Sequence, residues 1–459
     1  MNISETYCNP IPFPDYPWGQ GDESIHVKDS DRRYHSLSDP DGFFEDGICY
    51  LFTSYGGVYT SGDMLHWKRE KVVGIPDVFD GPAVQKIKGK YYFIGNQTAL
   101  YRSDDPLGPY QRLGYMRDCM GREFKINDPD LFVAPDGKCY LYWGCSDGKD
   151  GILGAELDPE NPMQLLTEPA KLFAFDPEHE WERWGEYNQD DTIGWIEGCC
   201  MLYYDKKYFL FYSGCGTTYS GYATGVYVSD SPLGGFVYAE NNPIIRKRYG
   251  LVRGGGHSCV LDNGKGRLYA FYTCKVAYSQ RFERVIAMDV VKYSEGRMYG
   301  TGTEVPCFRN GETCKELKPL SFYVLSNASS VAAGRDAVFA IDDNILSYWQ
   351  PAVGDKLPWL SVDLRGDYQI GAVRVMKRDL LKCTEERWTM PLRYRIEVQD
   401  GEEWRPVFDC MNREEDLMID YQTFPYVKAS KVRLVLPEVN EERPYGIVNF
   451  TVFGKKLPR

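Results

Sequence analysis

The chain has 459 residues, 43% of them hydrophobic and 15% aromatic, with 35 Tyr and 10 Trp. That length suits two domains, one of them large, each with its own core. A formal charge of -13 excludes a phosphate-binding, nucleic-acid role, and no apolar run reaches the roughly 18 residues of a membrane helix.

The opening residues, Met1 to Cys8, carry neither a basic stretch nor an apolar one, so no secretion signal is expected in them. The 14 cysteines are dispersed, without a C-x-x-C pair, and read as reduced thiols serving as small core residues. These two features point to the cytoplasm. A secreted or periplasmic protein is the alternative if a signal has been removed.

From residue 43 onward one pattern recurs: an apolar or aromatic strand, a turn with Gly, Asp or Asn, and an aromatic-rich strand. It is read in FFEDGICYLFTS (43–54), VQKIKGKYYFIGN (84–96), LFVAPDGKCYLYWG (131–144), MLYYDKKYFLFYSG (201–214) and VLDNGKGRLYAFYT (260–273). Each is a hairpin. Four are followed by a third strand, as in VYTSGDMLHW (58–67) and VYVSDSPLGGF (226–236). Five such units predict an all-β, five-bladed β-propeller over residues 1–303. An insertion at about 168–195, with Trp181, Trp184 and Trp195, is expected to lie over one face. Its Glu186, Asp190 and Asp191 read as loop surface.

Residues 304–320 are polar and read as a linker. A second pattern then runs through WLSVDLR (359–365), IGAVRVMK (370–377), RYRIEVQ (393–399), KVRLVLP (431–437) and VNFTVFG (448–454). It predicts an antiparallel β-sandwich of jelly-roll type over residues 321–459.

In a propeller the first strand of each blade begins at the central channel, so its leading residues converge. Those residues are Asp39, Gly81, Asp128, Glu197 and His257. Three acids facing a narrow channel are costly unless they act, because desolvation and mutual repulsion disfavour their charge. Cleaving a glycosidic bond needs such a set: an acid for the departing oxygen, a carboxylate for water or for the sugar, and a third group to tune them. An Asp-Pro at a strand start is also a common turn, so the argument rests on the three acids together. Cys199 and Cys200 alternate along a strand and read as packing.

These residues resemble glycoside hydrolase family 43, on Asp39 before Pro40, Asp128 in NDPDLF, and Glu197 in IEG. The resemblance covers about residues 8–303 and implies inversion, and the long insertion suits a closed, exo-acting pocket. It makes Asp39 the general base, Asp128 the modulator and Glu197 the general acid. It further implies that His257 faces the channel, touching substrate or, through water, a metal ion. A buried histidine held by backbone is the competing reading. Arg284, Trp195 and Asp80 are implied as substrate contacts. Asp80-Gly81-Pro82 and Cys199 depart from the family pattern at positions close to the sugar. The implied substrate is the terminal sugar of an oligosaccharide or polysaccharide of plant type: α-L-arabinofuranose first, β-D-xylose second, galactose or galactofuranose third. No cofactor is required for this chemistry.

The sandwich resembles the discoidin, or coagulation factor type C, domain used as a family 32 carbohydrate-binding module. The resemblance rests on AIDDNILSYW (340–349), WLSVDLR, YRIEVQDGEEWRPVFD (394–409) and VNFTVFG. It implies a structural calcium near Asp342 and Asp343, with Trp349 and Trp359 in the framework and Trp388 and Tyr445 on loops able to meet a sugar. Two alternatives remain. One is a retaining, invertase-type propeller, in which the glutamate precedes Cys, whereas Glu197 precedes Gly198. The other is a sugar-binding propeller without catalysis.

Overall fold

Each predicted hairpin closes because its turn residues accept a left-handed backbone. Asp46 and Gly47 have φ of 50° and 83°, Lys88 and Gly89 of 47° and 79°, and Asp205 and Lys206 of 46° and 62°. Two consecutive positive φ values match the twist of the flanking strands. The computed structural model describes residues 2–14, 18–19, 34–35, 37–146, 149–276, 284–379, 391–438 and 445–457. Trp388 and the side chain of Tyr445 lie outside them.

Five sheets, antiparallel in their inner strands, form the propeller. Blade 1 is built on Asp41–Glu45, Ile48–Thr53, Gly57–Ser61 and Lys68–Arg69, and blade 2 on Ala83–Ile87, Lys90–Ile94, Leu100–Ser103 and Gln111–Gly114. Blade 3 has Asp130–Val133, Cys139–Trp143 and Ile152–Asp158 as its inner strands. Blade 4 comprises Ile196–Tyr204, Lys207–Gly214, Ala223–Ser229 and Val237–Tyr238, and blade 5 Gly256–Asp262, Leu268–Lys275, Arg284–Ser294 and Arg297–Tyr299. The first strands touch in the cyclic order 1-2-3-4-5-1, which makes the ring complete. Buried aromatics such as Tyr59, Phe211 and Phe271 fill the spaces between blades.

The sandwich departs from the sequence reading in one respect. WLSVDLR and IGAVRVMK are one continuous strand, Trp359–Asp379, whose pairing with Ile419–Val435 shifts register between Asp363 and Tyr368 and again between Ile370 and Ala372. Arg365, at φ 55°, takes the bend that a turn would otherwise need. A bulge redirects a strand without ending it. Trp349 is fully buried, while Trp359 is half-buried with the Arg433 guanidinium 5.7 Å from its ring.

A strap from the start of the chain closes the assembly. Thr6–Tyr7 pairs with Cys307–Phe308. Asn9 exchanges hydrogen bonds with Met288 on blade 5 (2.8 and 2.9 Å) and donates to the Thr303 carbonyl. Arg374 of the sandwich, 1% exposed, donates to the carbonyls of Asn9 (2.7 Å) and Glu304 (2.9 Å). Removing a buried charged donor leaves those acceptors unsatisfied. Arg374→Met is therefore expected to lower the unfolding free energy by about 3 kcal/mol in denaturant titration of the full chain. A change below about 0.5 kcal/mol would show that the junction contributes nothing.

Candidate active site

One structural rule positions the site. In every blade, a residue just before the regular pairing of the first strand (two places before it in blades 1 to 4, one in blade 5) adopts a left-handed backbone: Asp39 (φ 50°), Gly81 (50°), Asp128 (48°), Gly198 (63°) and His257 (44°). Opposite it, the same number of residues past the matching pair on the second strand, stand Ser54, Asn96, Gly144, Ser213 and Thr273. Each polar one of these accepts the backbone N–H of the next blade's left-handed residue. Gly81 donates to Ser54 Oγ (3.0 Å), Asp128 to Asn96 Oδ1 (2.6 Å), His257 to Ser213 Oγ (2.6 Å) and Asp39 to Thr273 Oγ1 (2.9 Å). Blade 3 offers only Gly144, which has no side chain. The Gly198 N–H bonds to Asp128 instead.

This register corrects one expectation. Asp39, Asp128 and His257 hold equivalent places, but Glu197 stands one residue earlier, and Gly198 occupies the blade-4 place. The reason is steric: a Cβ on Gly198 would lie 2.9 Å from His257 Cγ, besides the cost of its positive φ. Glu197 instead pairs with Ser213 on one side and Cys145 on the other.

The acids converge around His257. Its Nδ1 lies 3.3 Å from Asp39 Oδ1 and 3.9 Å from Asp128 Oδ2. Burial alone would strip its proton. The carboxylates of Asp39, Asp128 and Glu197 outweigh burial and raise its proton affinity.

Asp39 is buried, which pushes its pKa up. The Arg284 guanidinium, then His257, then the hydroxyls of Ser54 and Ser38 overcome this and hold it below the usual carboxylate value. Arg284 contacts both oxygens, at 3.2 and 3.3 Å, and Ser54 Oγ donates at 2.6 Å.

Glu197 is the opposite case. Burial, followed by the negative charge of Asp128, raises its pKa. Trp195 Nε1 (2.6 Å) and the Cys145 thiol (3.2 Å) meet Oε2, and the Tyr222 hydroxyl meets Oε1 (2.6 Å). Asp128 is also raised, by burial and by Asp39, against the lowering effect of His257, Asn96 and the Gly198 N–H.

The remaining expectations fall as follows. Trp195 reaches Glu197 itself. Asp80 is exposed, and its charge acts on Arg284 at the mouth. Cys199 turns into the core, its thiol donating to the Asp128 carbonyl at 3.3 Å, so it does not face the sugar position. Glu186 accepts from the Ser220 backbone and hydroxyl, and Asp190 from Thr192. Sequence reading missed Ser54, Asn96, Cys145 and Tyr222. A Ser, Thr or Asn just past the second strand of each repeat was the signal for the first two.

The model of the family described as glycosyl hydrolases family 43 matches residues 22–298, and that of a NedA-like, galactose-binding domain matches residues 339–434. The extracellular endo-α-(1→5)-L-arabinanase 2 of Bacillus subtilis (strain 168) is 24% identical over 299 residues, covering 51% of this chain and 60% of that protein. The chain thus spans less than two thirds of that relative's length. A thermostable family-43 glycoside hydrolase superposes with a TM-score of 0.52 at 20% identity, over 67% of this chain and 100% of the other. Another structure, described as a glycoside hydrolase, gives 0.50 at 20% identity, over 91% and 97%. At such identities the two structures establish the fold. The cytoplasmic expectation is overturned by the curated relative, which is extracellular. The thiols misled because their burial as core residues is a matter of packing: most of the thirteen described cysteines are buried and all are free, which reports geometry and not compartment.

Proposed function

Because the chain belongs to the glycosyl hydrolases family 43, we propose that it hydrolyses glycosidic bonds with inversion, releasing terminal sugars from plant-type glycans. The observation that carries this reading is the opposite tuning of Asp39 and Glu197. Environments that push two carboxyl groups apart assign the base and the acid. The surroundings of Asp39 favour its ionised form, and those of Glu197 favour its protonated form.

In this reading Glu197 passes its proton to the glycosidic oxygen as the bond to the anomeric carbon breaks. Asp39 removes a proton from a water molecule whose oxygen attacks that carbon from the opposite face. The cycle leaves Glu197 ionised and Asp39 protonated, and exchange with solvent restores both. Asp128 keeps Glu197 protonated by repulsion, and His257 and Arg284 offset the carboxylates of the ground state. Inversion requires room for the water, a carboxyl separation of about 6.5–9.5 Å.

The arabinanase relative supports L-arabinofuranose as the first sugar to test, with xylose and galactose after it. Nitrophenyl glycosides of these sugars, with NMR of the first anomer formed, test the reading. Release of the retained anomer would sink inversion. No cleavage of any member of the panel, with sugar binding intact, would favour a binding propeller. On debranched arabinan, arabinose alone supports exo action, and oligosaccharides at early times would replace it with endo action.

His257 Nδ1 does not fit as a direct ligand of a channel metal. It is engaged by two carboxylates, which favour the protonated ring, and a protonated imidazole is a poor ligand. Among the described residues, the one convergence of three metal-type donors is Asp128, Cys145 and Glu197, without His257. A calcium at Asp342 and Asp343 fits better. Asp343 Oδ1 is buried with no hydrogen-bond partner, and burial followed by the charge of Glu304 raises its pKa to about 6. Asp342 is turned to Ser347 and the Asn344 N–H. Saturating calcium is expected to raise the melting temperature by about 3 °C or more in the full chain, and Asp343→Asn to remove that gain. No shift in the unmodified protein would end the calcium reading.

A further inference from the structure

Beside the site, two guanidinium groups share one neutral acceptor. Arg246 Nη2 donates to Asn188 Oδ1 at 2.8 Å, and Arg248 Nη2 donates to the same oxygen. Asn188 is 7% exposed and cannot turn away, because its Nδ2 donates to the carbonyls of Trp181 (3.0 Å) and Arg183 (2.8 Å). Among the described residues neither arginine has a carboxylate within ion-pair distance. Glu180 acts on Arg246 only from further away, Glu186 is committed to Ser220, and the intervening Lys247 is paired with Glu304 at 2.7 Å. Burial and the neighbouring Arg248 hold Arg246 below the usual guanidinium value.

A chain of charge -13 has carboxylates to spare, yet none of those among the described residues pairs with either arginine. Each guanidinium spends one Nη2 on that oxygen, and a carboxylate accepting from the remaining N–H donors, which have no partner among the described residues, would offset both charges. Two exposed tyrosines are neighbours in sequence of these residues: Tyr187 precedes the acceptor Asn188 and Tyr249 follows Arg248, exposed to 76% and 75%. Exposed rings beside polar donors suit a sugar, whose apolar face stacks while its polar groups bond.

The pair connects to Glu197 through Asn188 and the segment Gly221-Tyr222. Asn188 Oδ1 would be 3.1 Å from a Cβ on Gly221, and the next residue, Tyr222, donates to Glu197 Oε1. Glu197 serves the departing oxygen, so this is the leaving-group side. We propose that Arg246 and Arg248 form a subsite for the carboxylate of a uronic acid unit on the leaving-group side of the glycan. The inference rests on the hydrolase reading above and narrows its substrate to acidic, uronate-bearing glycans.

The test uses the full chain carrying Glu197→Gln, so that binding is read without turnover. Calorimetry compares an arabinoxylan oligosaccharide carrying one glucuronosyl unit with the same oligosaccharide as its methyl ester. The free acid is expected to bind about tenfold or more tightly than the ester, as charge-assisted bidentate pairs do. Adding Arg246→Gln and Arg248→Gln should abolish the preference. Arg246→Lys with Arg248→Lys, which keeps charge and loses the forks, should retain only part of it, and thermal melting identifies any variant that fails to fold. Equal binding of acid and ester, or a preference that survives both glutamines, would overturn the proposal. Wild-type cleavage of neutral nitrophenyl glycosides is measured in parallel. Cleavage without a carboxylate preference overturns this inference alone, and a preference without cleavage overturns the hydrolase reading alone.

Discussion

Glu197→Gln is expected to lower kcat on an unactivated glycan by about 10²–10⁴-fold, or roughly 3–5 kcal/mol of transition-state stabilisation. The amide keeps the size of the side chain and can still meet Trp195 Nε1 and the Tyr222 hydroxyl, but it carries no proton to give. Substrates whose leaving group departs without protonation, such as nitrophenyl glycosides, should lose far less. The pH profile should change in one limb only. The raised pKa of Glu197 sets the alkaline limb, because activity needs its protonated form and fades as pH climbs through that pKa. The variant should therefore lack the alkaline limb and keep the acidic one. Equal losses on good and poor leaving groups would remove Glu197 from the acid role.

Asp39→Asn should lower kcat about 10³-fold or more on every substrate, whatever its leaving group, because no group then accepts the proton of the attacking water. Here the acidic limb is the one at stake. Arg284 and His257 hold Asp39 below the usual carboxylate value, so activity should persist to unusually low pH and fall only as Asp39 takes up a proton. In wild-type enzyme, Arg284→Gln should move that limb to higher pH, since the neutral amide no longer stabilises the ionised form. If Asp39→Asn kept an acidic limb at the wild-type position, another group would be the base. Azide in place of water should partly restore turnover and yield a glycosyl azide of inverted configuration.

The parts of this arrangement written locally in the sequence were readable. Hairpins announce themselves by a turn between two apolar strands, and five of them imply a ring. Asp39 and Asp128 stand before proline at a strand start, so a reader of the repeat finds them. Glu197 was found but misplaced by one residue, because a bulge at Gly198 shifts the pairing between Glu197 and Cys200. Nothing in IEGCC marks a bulge. It follows from His257, some sixty residues on, filling the space a side chain would need. Tyr222 and Cys145 were missed for the same reason: each reaches Glu197 from a different part of the chain, and neither is exceptional in its own segment. In the sandwich, WLSVDLR and IGAVRVMK read as two strands, but the left-handed Arg365 lets one strand continue through both.

The strap at the start of the chain has a consequence for the order of assembly. Asn9 meets Met288 across 279 residues, and Arg374 meets Asn9 across 365. Contacts of such separation form late, because the entropy of closing the loop must be met before they return anything. Asn9 thus waits for residues made long after it. Blades 1 to 4 can collapse as hairpins while the ribosome still holds blade 5, but the ring cannot lock until the sandwich strand bearing Arg374 has emerged. Until then the strap lacks its partners on blade 5 and the sandwich, and that interval is when the nascent chain is most open to contact with a neighbour.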